Sequence, residues 1–515
     1  MTQLEAPLSP TNADPLPDHA RIAVIGAGFS GLALGISLLG EGIDDFVILE
    51  RQRDVGGTWR DNTYPGCQCD VPSHLYSFSF APNPDWSRTY SEQPEIYEYI
   101  RRTAQERGVL SYVRFAHDVQ GSRWNEDEQL WEVETSAGKL TANYLVSAMG
   151  PLSAAAWPKL KGLDDFEGKI FHSAEWDHDH DLEGERVGVI GTGASAIQFV
   201  PAIQPEVGKL HVFQRTPPWV MPRPDRATTH FERRLYRRFP LLQKVARTLV
   251  YWRQELLLVP GLVYRPRLMK ILEAASRWHL RRHVPDPELR EQLTPDYLLG
   301  CKRILISDEW YPALAEDNVE VVDSGIDEVR AHSIVTADGT EREIDTIILG
   351  TGFRVTDMVG SERVHGHGGT TLSEAWQGSP QAHLGTTVAG FPNLFLLVGP
   401  NLGPGHTSVV FYAESQVRYI LETLKTLERE GSTSFEVRKD VQDAFNAVLQ
   451  ERMRGTVWTT GGCNSWYLDE TGRNTTLWPG FSWELRLRTR RFDPTEHILH
   501  RNGAQAAREP SAATA

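Results

Sequence analysis

RIAVIGAGFSGLALGISLLGEGIDDFVILE, residues 21–50, decides the fold. An apolar run ending at Ile25 feeds a glycine-rich turn, a helix-like stretch and a second apolar run that ends at Glu50. That is the strand–turn–helix–strand order of a βαβ unit. The turn reads Gly26-Ala-Gly28-Phe29-Ser30-Gly31. Its glycines serve the tight bend, the close approach of a pyrophosphate and the packing of helix on strand. The unpaired N–H groups opening the helix then face the phosphates. Glu50 lies nineteen residues past Gly31, at the end of the second strand, where a carboxylate accepts ribose hydroxyls.

The plan recurs in ERVGVIGTGASAIQFVPAIQPEVGKLHVFQR, residues 185–215. Here Gly191-Thr192-Gly193-Ala194-Ser195-Ala196 follows the strand, and the next strand ends in Gln214-Arg215-Thr216 with no acid. A guanidinium at that place offers forked donors to the 2′-phosphate of NADPH, which a carboxylate would repel. Two nucleotide sites of opposite sign imply FAD at the first and NADPH at the second. The expected fold is α/β, with two Rossmann-like dinucleotide-binding domains and a helical insertion. Boundaries follow composition. Residues 1–19 read as a disordered lead. The FAD-binding domain takes 20–150 and 355–500, and the NADPH-binding domain takes 151–225 and 300–354. The helical insertion is 226–299, and 501–515 reads as a disordered tail.

Composition excludes several classes. The 515 residues carry a net charge of −15, which argues against nucleic acid as partner. No apolar stretch approaches the roughly 18 residues that cross a bilayer. The N-terminus lacks the basic start and apolar core of a secretory signal. Four cysteines make no disulfide framework, so a cytoplasmic location is expected. Cys67 and Cys69 are too close for a relaxed redox pair and read as structural, and no ligand spacing suits a metal. Residues 231–282 hold thirteen Arg and Lys against three Glu. They are read as a solvated face over a domain interface, with a helix docked on an anionic membrane as the alternative.

Between the two units runs Phe166-Glu-Gly168-Lys-Ile-Phe-His172-Ser-Ala-Glu-Trp176-Asp177. Physically it is a hinge in which His172 packs; on a helix it would share a face with Trp176. The stretch matches the signature Phe-x-Gly-x-x-x-His-x-x-x-Trp-Pro/Asp, and here the chain resembles the Baeyer–Villiger monooxygenases. The resemblance spans nearly all of 20–490. It takes in Gly56-Gly57-Thr58-Trp59, Tyr64-Pro-Gly66-Cys-Gln-Cys-Asp70, Cys301-Lys302-Arg303, Gly350-Thr-Gly-Phe353, Gly390-Phe-Pro-Asn393 and Asn464-Ser-Trp466-Tyr467. CKRILISDEWYPAL and the helical insertion look most like the 4-hydroxyacetophenone-type ketone monooxygenases.

The resemblance implies an NADPH- and O₂-dependent cycle. A C4a-peroxyflavin attacks a ketone, and the tetrahedral (Criegee) adduct rearranges to an ester or lactone. It makes Arg303 the catalytic cation that keeps the peroxide deprotonated, with Asp70 the acid that holds it. It gives Lys302, Arg215 and Thr216 to the 2′-phosphate and Trp466 to a loop retaining NADP⁺. Arg51, Tyr76, Val119 and Gln198 complete the expected cofactor-binding set, and Phe166 to Asp177 becomes a domain-coupling hinge. The substrate is a small ketone, with sulfides a second class; the chain is expected to be a monomer or homo-oligomer. The rival readings are an N- or S-oxygenating flavin monooxygenase, an uncoupled NADPH oxidase and a non-catalytic flavoprotein. Two departures stand out: Gly350 where Ala is usual, and Trp59-Arg60-Asp61-Asn62 in place of a more aromatic run bordering the active site.

Overall fold

The computed structural model describes residues 15–355 and 360–501. Most of the expected lead and all of the expected tail past Arg501 lie outside these residues. The strand His19–Ile25 is buried along Ile22–Ile25 on both faces, as a parallel strand covered from both sides must be. It pairs in parallel with Phe46–Glu50 and with Gly138–Ser147, so Ile25 sits beside both Leu49 and Ser147. Val113–Phe115 extends this sheet past Phe46–Glu50. An antiparallel arm, Val119–Asn125 and Leu130–Thr135, extends it on the other side. Leu394–Leu396 returns from far along the chain to pair with Gly138–Ser147.

A second sheet is wholly parallel, in the order Val319–Val322, Lys209–Phe213, Arg186–Ile190, Thr346–Leu349, Lys169–His172. The two glycine turns are built alike. Gly26 has φ 104°, and a Cβ there would lie 2.8 Å from Ala148 O. Gly191 has φ 110°, and its Cβ would lie 2.5 Å from Gly350 O. Each turn is thus pressed against the end of a neighbouring strand, in a backbone region that strains any side chain. A methyl at Gly350 would meet Ala196 Cβ at 3.4 Å, an ordinary contact, so either Gly or Ala fits there.

Between Lys209–Phe213 and Val319–Val322 the chain forms helices His230–Arg238, Pro240–Val259, Met269–His283 and Pro287–Gln292. Thr229 and Glu232 close a capping box on the first, and Asp286 caps the last. No helix among the described residues is long and apolar enough to cross a membrane.

Candidate active site

At the first turn the helix Phe29–Gly40 begins without a side-chain cap, so its opening N–H groups remain available to an anion. Gly57, at φ 54°, meets Gly28 nearly Cα to Cα; a Cβ on Gly57 would lie 3.2 Å from it. Side chains there would close the space over the turn, so bare glycines and free N–H groups fit a dinucleotide phosphate. Ser30 sits half-buried in the helix's first turn, and Thr58 opens the short helix Thr58–Asp61. Trp59 Nε1 donates to Tyr76 Oη at 3.0 Å, and the Phe29 ring meets Tyr76 edge-on at 5.3 Å. Val119 is half-buried at the start of its strand, and Arg51 is exposed, donating to Ser153 O.

Glu50 is buried but not bare. Its Oε2 accepts from Ala27 N at 2.9 Å, and its Oε1 accepts from Gln52 N and from Arg60 Nη1 at 3.1 Å. Ribose hydroxyls would meet it on the lone pairs left over. Arg60 also donates to Asp61 and to Asp54 O. The polar run at 59–62 therefore sends its arginine behind the first glycine turn, not toward Arg303.

Arg303 donates from both Nε (2.8 Å) and Nη2 (2.6 Å) to Asp70 Oδ2, and Nη1 takes no partner among the described residues. The Asp70 carboxylate raises the guanidinium's pKa further, outweighing the opposing effect of burial. The side chain is 42% exposed, so the held charge faces open space. Tyr467 stands nearby, its hydroxyl pushed up to about 12 by burial while the Arg303 charge opposes the shift. Sequence reasoning passed over this tyrosine, although it directly follows Trp466 in the quoted motif. Trp466 is itself 46% exposed and packs on Tyr467 with ring centroids 4.4 Å apart. Arg223 adds a second cation beside the site, this one buried: it donates to Cys69 O at 3.1 Å and lies over the Tyr90 ring.

A cleft of 870 Å³ brings together Arg215, Thr216, Lys302, Cys463 and Asn464. Burial and the neighbouring Arg215 charge lower the Lys302 pKa, and its ammonium lies over the Tyr297 ring. No carboxylate forms an ion pair with Arg215 or Lys302 among the described residues. Glu288, Glu291, Asp296 and Asp323 also line the cleft, but none pairs with either cation among the described residues, so both keep donors for a dianionic 2′-phosphate. Behind them Thr192 Oγ1 donates to Thr216 O, and the helix Ala196–Ile203 starts at Ser195 without a side-chain cap. Gly193 and Ala194 lie in the turn itself, both exposed.

The cysteines correct the expectation that the chain forms no disulfide. Cys301, two residues before Arg303, is bonded to Cys463, three residues before Trp466. The signal was only adjacency, since each cysteine borders a site motif. Cys67 and Cys69 are free and buried, and burial pushes the Cys67 thiol up to about 12, which leaves it inert.

The linker is not helical. Lys169–His172 is a strand and Ser173–Glu175 a single tight turn, so His172 and Trp176 do not share a helix face. His172 is fully buried, its Nδ1 accepts from Ala174 N, and its ring meets Phe353 edge-on at 5.9 Å. Burial lowers its pKa, which keeps it neutral. Gly168 admits no side chain, because a Cβ would lie 2.2 Å from Asp345 O; Phe166 is buried beside it. Trp176 packs on Phe171 and Phe199, and Asp177 pairs with Lys169. The amide of Gln198 is largely spent within the protein. Its oxygen accepts from Tyr64 Oη and Gln68 N, and its nitrogen donates to Gln68 O.

Residues 19–259 match the family model described as "Flavin-binding monooxygenase-like". A Baeyer–Villiger monooxygenase of Streptomyces coelicolor is 51% identical over 496 residues, covering 95% of each chain. One of Pseudomonas aeruginosa is 49% identical, covering 93% of this chain and 92% of the relative. Among solved structures, OTEMO in complex with FAD and NADP superposes with a TM-score of 0.84 at 29% identity, covering 93% of this chain and 99% of that one. With the two glycine turns, the Asp70–Arg303 pair and the Phe166–Asp177 linker in place, the chain belongs to the Baeyer–Villiger monooxygenases.

Proposed function

We propose that the Asp70–Arg303 pair, partly exposed and one residue from the cleft-lining Lys302, is the catalytic centre of an FAD- and NADPH-dependent ketone monooxygenase. The overall reaction balances as ketone, O₂, NADPH and a proton giving ester or lactone, water and NADP⁺. When bound, FAD and NADPH supply the oxygen-activating and two-electron chemistry. The Arg303 guanidinium, oriented by two hydrogen bonds to Asp70 Oδ2, has Nη1 left to donate. Aimed at the ketone oxygen, that fixed cation stabilises the negative charge developing there during oxygen insertion. Asp70 positions the arginine and keeps it charged.

Arg215 and Lys302 read the 2′-phosphate, with Thr216 beside them. The Gly26–Gly31 turn with Thr58 and Glu50 holds the flavin nucleotide, and Phe29, Trp59 and Tyr76 wall it. Trp466 and Tyr467 close over the nicotinamide end and exclude water. Gln198 and the Phe166–Asp177 linker clasp the two dinucleotide-binding units together. A cytoplasmic location is supported by the two free thiols Cys67 and Cys69, while the Cys301–Cys463 bridge weighs against it.

The observation that carries this reading is Arg303 held through two donors by Asp70 Oδ2. Its test is a product count with FAD, NADPH, O₂ and a mixed panel of linear, cyclic, aryl and steroid ketones. Ester or lactone close to one per NADPH from any of them is expected. Sulfoxide from a sulfide panel with no ester from any ketone would overturn the assignment.

A further inference from the structure

The helix Pro240–Val259 is turned inside out. Its inward face mixes Tyr251 and Val259 with polar groups: Gln243 donates to Asn83 O, Arg247 donates to His74 O and Ser77 O, and fully buried Glu255 accepts from Ser482 N. Its outward face is apolar. Leu241 (73% exposed), Val245 (54%), Leu249 (65%), Trp252 (41%) and Leu256 (61%) recur at helical spacing along one stripe, flanked by exposed Leu242 and Leu257. A helix facing only water shows the opposite arrangement. The exposed Leu268, Ile271 and Trp278 continue the pattern on the following segment. The cations read from the sequence as a solvated face, among them Lys244, Arg253, Arg267 and Lys270, are exposed, and the leucines stand beside them.

We propose that this face docks in the plane of an anionic lipid surface. Charge selects the occupant. The whole chain is −15, yet residues 231–282 hold thirteen Arg and Lys against three Glu; Arg247 turns inward and Arg237 pairs with Asp85, while Lys244, Arg253, Arg267 and Lys270 are exposed near the leucines. Two copies packed face to face would set these like charges against each other, which penalises self-association. A bilayer bearing anionic headgroups supplies both complements: acyl chains for the stripe and phosphates for the cations. Trp252 and Trp278 are the residue type that settles at the headgroup level. The helix rests on the membrane and does not cross it, consistent with the absence of a spanning helix among the described residues.

The test is sedimentation of the full-length, FAD-loaded enzyme with vesicles. Wild type is expected to pellet with phosphatidylcholine–phosphatidylglycerol vesicles, about tenfold or more above pure phosphatidylcholine, and to be released by salt. Leu249→Asp combined with Leu256→Asp should abolish pelleting while flavin content and NADPH oxidation stay at wild-type level. Equal pelleting with both vesicle types, or unchanged binding by the double variant, overturns the proposal. So does a wild-type dimer that binds no vesicles and becomes monomeric on the same two substitutions, because a second copy would then cover the stripe.

Discussion

At Arg303 the two hydrogen bonds to a single carboxylate oxygen fix the guanidinium plane and leave Nη1 for a ligand. Position and charge are thereby supplied by separate residues, so Asp70→Asn should retain some turnover while Asp70→Ala loses more. Within the cleft, Arg215→Ala should raise the KM for NADPH about 10- to 100-fold, the worth of one or two charge-assisted hydrogen bonds, and leave NADH unchanged. Steady-state kinetics with both cofactors checks this; an equal penalty on both would remove Arg215 from the phosphate. Lys302 adds a pH signature. Its ammonium is charged below its pKa, which burial and Arg215 hold under the ordinary 10.5. The preference for NADPH over NADH should therefore weaken with rising pH before 10.5, and Lys302→Arg should remove that alkaline loss. A preference flat across that range in wild type contradicts the assignment. Arg215 was legible because a strand-end charge has a meaning fixed by its place in a βαβ unit; Arg303, Asp70 and Lys302 came only with the family resemblance. Arg60 was not: its partner Glu50 lies ten residues back, and only the folded turn decides where the arginine points.

The glycine turns are the best-specified elements, since their constraint is local and steric. Gly26→Val forces a side chain against Ala148 O in a positive-φ backbone. It should yield colourless or unfolded protein, and a yellow, FAD-loaded variant would show the turn to be misread. The loop that carries Trp466 depends instead on a long-range tie. Cys301 and Cys463 are 162 residues apart, a pairing that spacing could not disclose. The bond joins the Lys302–Arg303 segment to the Trp466–Tyr467 segment, so it restrains the wall proposed to close over the nicotinamide. Cys463→Ser should loosen that wall and raise hydrogen peroxide per NADPH several-fold, with ester falling in step. Unchanged coupling in this variant would mean the bond does not restrain closure.

Across the whole molecule, periodicity disclosed helices in the 226–299 stretch, but which way each face turned depended on polar pockets elsewhere. Gln243, Arg247 and Glu255 point inward because Asn83, His74, Ser77 and Ser482 wait there. Buried histidines set a global pH dependence. His74 and His497 are lowered to about 4, and His172 is lowered too, each chiefly by burial. An unfolded chain protonates these rings near 6.5 while the native one resists. Below that pH the unfolded state binds more protons, so stability falls as pH drops from about 6.5 toward 4. The thermal midpoint should decline over that interval, and a midpoint unchanged between pH 7 and pH 5 would contradict it.

The most direct measurement compares wild type and Arg303→Ala as FAD-loaded enzymes, following flavin reduction by NADPH and ester formed from a ketone that wild type accepts. The account predicts reduction at a wild-type rate with ester formation down by about 10²- to 10³-fold or more, the scale for losing one preorganised oxyanion donor. Ester formation at the wild-type level in Arg303→Ala would contradict it.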